Sequence, residues 1–278
     1  MIFYECTSGG GGGGDISEYL KAMEDQSDYF TFTSSDLTSI RKNVFRESKV
    51  TNIDIPAVTY IGTNAFAGSS VHNINAPACT SIATSAFYGC TNLAGATLYF
   101  PLVESIGNSV FQAANVSSAL QSIDLSSVKT IGLKAFQDSG FWKDSSNTKI
   151  LNLPECTTLG EQVFDATVST WGNRFAHIYL PKIVNLGGTG STALVFRRNY
   201  CTNLHIGPNC TKIAGSIFWS GKVNNIYIEA TTPPTLYDTF GEDTSVVDNI
   251  YVPADSVNAY KAANKWSAYS SKIQAIPT

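Results

Sequence analysis

The chain has 278 residues, of which 43% are hydrophobic and 14% charged, and a formal net charge of −4. That length and apolar content suffice for a buried core in one large or two small domains, and with so little charge the polar surface must come from Ser, Thr, Asn and Tyr. A net negative chain without clustered Lys and Arg argues against nucleic acid as the main partner, and no run of about 20 apolar residues is present to span a membrane.

The start, Met1 to Cys6, has neither a basic n-region nor a long apolar h-region, so no signal peptide is expected in it. A cytoplasmic protein, a phage protein, or an exported protein whose leader is removed all fit that start. Residues 2–6 read as a strand stub, and the glycines Gly9 to Gly14 as a flexible linker. A short helix is predicted over 15–26: Asp15 can cap it, Glu18 follows at capping-box spacing, and Ile16, Tyr19, Leu20 and Met23 form one apolar stripe.

A repeat then begins. Phenylalanines stand at 45, 66, 87, 111, 136 and 164, then at 196, 218 and 240. Five residues before most of them is an aliphatic residue: Ile40, Ile61, Ile82, Ile106, Ile131, Leu159 and Ile213. Leu186 opens a unit whose Phe196 is ten residues on, so that unit carries an insertion, assigned to Gly187-Gly188-Thr189-Gly190-Ser191. Successive units are 21, 21, 24, 25, 28, 27 and 27 residues apart. Between the phenylalanines are alternating blocks such as Ile53-Asp54-Ile55-Pro56, Leu151-Asn152-Leu153-Pro154, Ile178-Tyr179-Leu180-Pro181 and Ile250-Tyr251-Val252-Pro253, with Leu204-His205-Ile206 followed by Gly207 and Pro208. Period-two alternation predicts a short strand with one face buried, ended by a proline that cannot donate to a ladder.

A unit this short cannot bury its own face, so stacked units must share one core. The predicted fold is a leucine-rich-repeat solenoid with a parallel β-sheet on one side, short helical turns and loops on the other, and helical caps at both ends. About nine strands spaced by roughly 4.8 Å give a sheet about 40 Å across. The expected organisation is a stub and linker over 1–14, an N-terminal helical cap over 15–37, a solenoid of about eight or nine repeats over 38–253, and a C-terminal cap over 254–278, with a helix in Ser256 to Ala268.

Alternation also predicts what faces outward. One column reads Asp54, Asn75, Tyr99, Asp124, Asn152, Tyr179, His205, Tyr227 and Tyr251; a second, two residues earlier, reads Asn52, Asn73, Thr97, Ser122, Ile150, His177, Asn203, Asn225 and Asn249. Tyrosine offers flat apolar area with a polar tip and suits recognition, as concave solenoid faces do; it also simply fits a pleated surface.

Cys79, Cys156 and Cys210 share an inward register position with Val58, Val103 and Val128 and are expected as buried thiols; Cys90 and Cys201, each followed by Thr-Asn-Leu, are aligned with one another. No Cys-x-x-Cys or paired-histidine spacing supports a metal, and no cofactor is expected. Asp54 and Asp124 lie about three rungs, or about 14 Å, apart, too far to act as acid and base on one bond. No nucleophile elbow or Walker loop is present.

The phrases Ile61-Gly62-Thr63-Asn64-Ala65-Phe66, Ile82-Ala83-Thr84-Ser85-Ala86-Phe87-Tyr88-Gly89-Cys90-Thr91-Asn92-Leu93 and Ile131-Gly132-Leu133-Lys134-Ala135-Phe136 resemble the BspA-like leucine-rich repeats. The ending, Ile250-Tyr251-Val252-Pro253 with Tyr260, Trp266, Tyr269 and Lys272-Ile273, resembles the terminal unit of that family, so the resemblance runs over about 38–276. It implies a bacterial binding or adhesion module, commonly on the cell surface, with no catalytic residues to carry over. The leading expectation is a non-enzymatic module that recognises a protein or glycan on a host or neighbouring cell through Tyr99, His177, Tyr179, Asn203, His205, Asn225, Tyr227 and Tyr251. The alternatives are a phage or prophage structural or receptor-binding protein and, further off, a polysaccharide-acting enzyme or accessory.

Overall fold

A computed structural model describes residues 3–5, 30–93, 98–114, 123–139, 148–167 and 172–277. The helix expected over 15–26, the glycine run, Cys6, Thr97 and Ser122 lie outside them. The chain has two compact units, Met1–Leu125 with Ser139–Phe141, and Ser126–Asp138 with Trp142–Thr278.

Each unit is a parallel β-solenoid with two ladders. In the first, the main ladder runs Phe3–Glu5, Phe30–Thr33, Val50–Asp54, Asn73–Asn75 and Leu98–Tyr99, each strand parallel to the next. Its second ladder joins the two-residue strands Ser39–Ile40, Tyr60–Ile61, Ser81–Ile82 and Ser105–Ile106. In the second unit the main ladder is Lys149–Asn152, Arg174–Leu180, Tyr200–Ile206, Lys222–Ile228, Val247–Val252 and Ile273–Ala275. Its second ladder is Thr130–Ile131, Thr158–Leu159, Asn185–Leu186, Lys212–Ile213 and Thr235–Leu236. Inward positions are apolar and buried throughout: Phe175, Ile178 and Leu180 on one strand meet Cys201, Leu204 and Ile206 on the next.

Phe30–Thr33, at the end of the N-terminal cap expected over 15–37, is a strand of the main ladder. Its Phe-Thr-Phe-Thr alternation buries Phe30 and Phe32 and pairs the strand with Val50–Asp54. Among the described residues the other side of the coils carries little helix, a 3-10 turn at Thr244–Val246 in place of the short helical turns expected on every coil. Around most of the repeated phenylalanines, left-handed residues stand two before and two after the ring: Asn64 (φ 54°) and Gly68 (φ 67°) flank Phe66, and Leu194 (φ 52°) and Arg198 (φ 60°) flank Phe196. Amides then point alternately along the chain and across it. Ala65 N donates back to Gly62 O at 3.1 Å, whereas Asn64 N, Phe66 N and Gly68 N donate to the next coil at 3.1, 2.8 and 2.8 Å. A helix would satisfy those amides internally and leave neighbouring coils unbonded.

The phenylalanines form the core of each unit. Phe45, Phe66, Phe87 and Phe111 stack at 5.1, 5.1 and 5.3 Å between centroids, within 6° of parallel. Phe136, Phe164, Phe196 and Phe218 stack at 5.6, 5.4 and 5.1 Å. The insertion in the long unit loops away at Gly187 (φ 84°) and leaves Phe196 in register.

The residue after each phenylalanine is Gln137, Asp165 and Arg197 on successive coils. Asp165 is buried and accepts from Arg197 Nε and Nη2 at 2.6 and 2.7 Å and from Gln137 Nε2 at 2.8 Å. Burial pushes its carboxyl above the usual carboxylate range, against the pull of Arg197 and Gln137.

The C-terminal segment has little helix: one α-helix, Val257–Ala262, between 3-10 turns at Ala254–Ser256 and Trp266–Tyr269. Three buried aromatics pin it to the preceding coil. Tyr260 OH donates to Ala230 O at 2.8 Å, Trp266 Nε1 to Pro234 O at 2.7 Å, and Phe240 N to Tyr269 OH at 2.9 Å. The last strand, Ile273–Ala275, extends the main ladder where only a cap was expected.

Candidate ligand-recognition face

The in-register parallel pairing of the second unit sets the outward side chains in columns: Asn152 pairs with Tyr179, Tyr179 with His205, His205 with Tyr227, Tyr227 with Tyr251, and Tyr251 with Gln274.

Four of these side chains form a continuous stack. Centroid separations are 4.5 Å for Tyr179–His205, 4.8 Å for His205–Tyr227 and 4.7 Å for Tyr227–Tyr251, with planes within 17°. These spacings match the distance between neighbouring strands, so the backbone itself sets the stacking. The rings turn their faces to one another and leave edges and polar tips outward.

His177 adjoins the stack. Its centroid is 5.4 Å from Tyr179 and 5.6 Å from His205, two nearly equal sides of a triangle on the 4.5 Å base. It therefore lies beside that pair, with Nδ1 within 3.4 Å of His205 Nε2. Burial, then the neighbouring His177, holds the His205 imidazole below its ordinary pKa. Burial and Tyr251 push the Tyr227 phenol up.

The second column is an asparagine ladder. Asn225 Nδ2 donates to Asn203 Oδ1 at 3.0 Å, Asn249 Nδ2 to Asn225 Oδ1 at 3.0 Å, and Gln274 Nε2 to Asn249 Oδ1 at 3.3 Å. Asn203 Nδ2 lies 3.4 Å from His177 Nδ1. The first unit begins a similar ladder, with Asn73 Nδ2 donating to Asn52 Oδ1 at 2.9 Å. The carboxamides of Asn203 and Asn225 thus tie rungs together. Tyr99 belongs to the first unit, where it pairs with Asn75 and is exposed; Asn75 Nδ2 in turn donates to Asp54 Oδ1 at 2.8 Å. Tyr99 therefore stands in a polar column and takes no part in the aromatic stack.

Where the strands end, a groove of about 420 Å³ is lined by Asn152, Tyr179, Leu180, Pro181, His205, Ile206, Gly207 and Glu229. Gly207 is required at its place: a Cβ there would come within 1.8 Å of Pro181 O. Asn152, Pro181, Gly207 and Glu229 were not among the residues selected from the sequence. The signal available was the Gly207-Pro208 pair in a block where other units place proline directly after the strand.

Cys79, Cys90, Cys156, Cys201 and Cys210 are all free and buried. Burial pushes the thiols of Cys79 and Cys90 up to about 11 and those of Cys156, Cys201 and Cys210 to about 12. The alignment of Cys90 with Cys201 does not hold. Cys201 is an inward strand residue paired with Val223, whereas Cys90 ends a phenylalanine turn beside Ser69, its Sγ donating to Phe66 O at 3.0 Å. Among the described residues, no group of three or more His, Cys, Asp or Glu is placed to hold a metal ion, and no helix is long and apolar enough to cross a membrane.

No curated protein matches this sequence. Among solved structures, the pneumococcal vaccine antigen PcpA is similar at 12% identity and a TM-score of 0.35, over 90% of this chain and 79% of that one. The family model described as the BspA type leucine rich repeat region matches residues 16–142 in six copies. The turns from Thr148 onward lie beyond that match yet keep the same plan of strand, phenylalanine turn and second strand. Residues 16–142 are thus similar to the BspA-type leucine-rich-repeat family.

Proposed function

We propose that the main ladder of the second unit is the recognition face of a surface repeat protein, and that it binds a protein or glycan ligand without catalysing a reaction. The observation that carries this reading is the stack of Tyr179, His205, Tyr227 and Tyr251, half-buried and held at strand spacing. Its rings are fixed by their neighbours and by the hydrogen-bonded strands beneath, so little side-chain entropy remains to be lost on binding. The asparagine ladder stiffens the same face. Polar edges of four rings, with His177 alongside, offer hydroxyl and imidazole groups in one line.

The test is a glycan and protein array probed with the full chain and with the triple variant Tyr179→Ser, Tyr227→Ser, Tyr251→Ser. The expected result is at least one ligand retained by the full chain and lost by the triple variant, with the variant's circular dichroism unchanged. Equal binding by a folded triple variant would place recognition elsewhere on the molecule. A hydrolytic activity on polysaccharide as the sole outcome would refute the binding role.

A further inference from the structure

Within the stack, His205 and Tyr227 have a ring on each side, and Tyr179 and Tyr251 are the two terminal rings. The next rung beyond Tyr179 carries Asn152, which is exposed and has no ring. His177 does not take that place, because it lies to the side, between the levels of Tyr179 and His205. One face of Tyr179 is therefore free of aromatic partners, and it borders the groove at the strand ends.

The other lining groups are complementary to a particular chemistry. Leu180, Ile206 and Gly207 make a buried apolar floor, and Asn152, Tyr179, His205 and Glu229 supply polar atoms. Unlike the ladder asparagines, the Asn152 carboxamide, the Tyr179 hydroxyl and the Glu229 carboxylate have no hydrogen-bond partner among the described residues. Glu229 is the one carboxylate in the lining, and no Lys or Arg lines it. The nearby Lys182 is held by both carboxylate oxygens of Glu155 at 2.7 and 2.8 Å. An anionic ligand is therefore disfavoured. What fits is a small, neutral, hydroxyl-rich ring with one apolar C–H face: the face on Tyr179, paired hydroxyls on Glu229, and a donor and acceptor on Asn152. The volume is within the usual range for small-ligand sites, about 300–1,000 Å³.

We propose that this groove holds one neutral hexopyranose unit of a glycan. The proposal rests on the reading of the face as a recognition surface and specifies the class of its ligand. The test uses the full chain titrated with methyl glucoside, methyl galactoside, methyl mannoside and N-acetylglucosamine, read by NMR shift changes, with N-acetylneuraminic acid and a lysine-rich peptide as charged comparisons. At least one neutral sugar is expected to bind saturably, unaffected by 0.5 M NaCl. Removing a hydrogen bond to a charged group corresponds to about a tenfold loss or more, so Glu229→Ala is expected to weaken binding by that factor. Tyr179→Ala and Asn152→Ala weaken it as well, whereas Tyr60→Ser, exposed in the first unit, leaves it unchanged. Preferential binding of the acidic sugar, or of the basic peptide with loss at high salt, would overturn the proposal. So would failure of every neutral sugar to bind. The two readings separate cleanly: an array ligand lost in the triple tyrosine variant but retained by Asn152→Ala and Glu229→Ala sinks the sugar groove and leaves the recognition face standing.

Discussion

Phe164 is the most demanding point at which to probe the stacked core. It is fully buried, with Phe136 at 5.6 Å and 8° on one side and Phe196 at 5.4 Å and 2° on the other. Its amide also donates to Val195 O at 2.8 Å, so the backbone around it is pinned to the next coil and cannot collapse into a vacated space. Phe164→Ala should therefore lie in the range of poorly relaxing cavities, about 3–5 kcal/mol. Phe164→Leu keeps apolar contact but loses two stacked faces of about 0.5–1.5 kcal/mol each, or about 1–3 kcal/mol together. Against a total stability of about 5–15 kcal/mol, the alanine variant loses a large share. Urea unfolding followed by tryptophan fluorescence reads this as a lower midpoint at an unchanged slope. A loss under about 1 kcal/mol for Phe164→Ala would refute the claim that stacked phenylalanines carry the core.

Three further outcomes are expected. Replacing Asp165 by Ala strands Arg197, which is 24% exposed by side chain and so partly hydrated; the expected loss is near the lower end of the buried-pair range, about 3 kcal/mol, read from the same urea curves. In a Cys6→Ser background, the native protein should not react with a thiol reagent at pH 8, because thiols raised to about 11 or 12 hold almost no thiolate, and five thiols should appear on denaturation. His205 has a folded pKa below its ordinary value of 6.5, so the unfolded state takes up a proton first as the solution is acidified. Stability should be flat above that value and fall as pH drops below 6.5 toward the folded pKa, and His205→Gln should flatten the slope.

The repeat was legible because burial imposes it. Any residue stacked at the centre of a coil must recur once per coil, and the phenylalanines do so even where Gly187 to Ser191 lengthens the turn. Inward cysteines were legible for the same reason, through the valines that share their position. The left-handed residues beside most of the phenylalanines were not, since Lys134, Gln162 and Leu194 carry no glycine-like signal; bonding to the next coil imposes that geometry. Asp165, Gln137 and Arg197 are remote in sequence and meet only by stacking. The candidate face was legible as a set of outward positions. Whether rings present faces or edges depends on strand spacing and rotamers, which alternation does not encode. The groove joins strand ends with the residue after them, and only Asn152, Tyr179 and His205 of its lining belonged to the outward column.

The most direct test of the recognition face is hydrogen–deuterium exchange of the full chain with and without a ligand taken from the array. Binding at this face predicts added protection in the strands Arg174–Leu180, Tyr200–Ile206, Lys222–Ile228 and Val247–Val252, with no change in the two-residue strands of the second ladder. Protection confined to that second ladder or to the phenylalanine turns would contradict it.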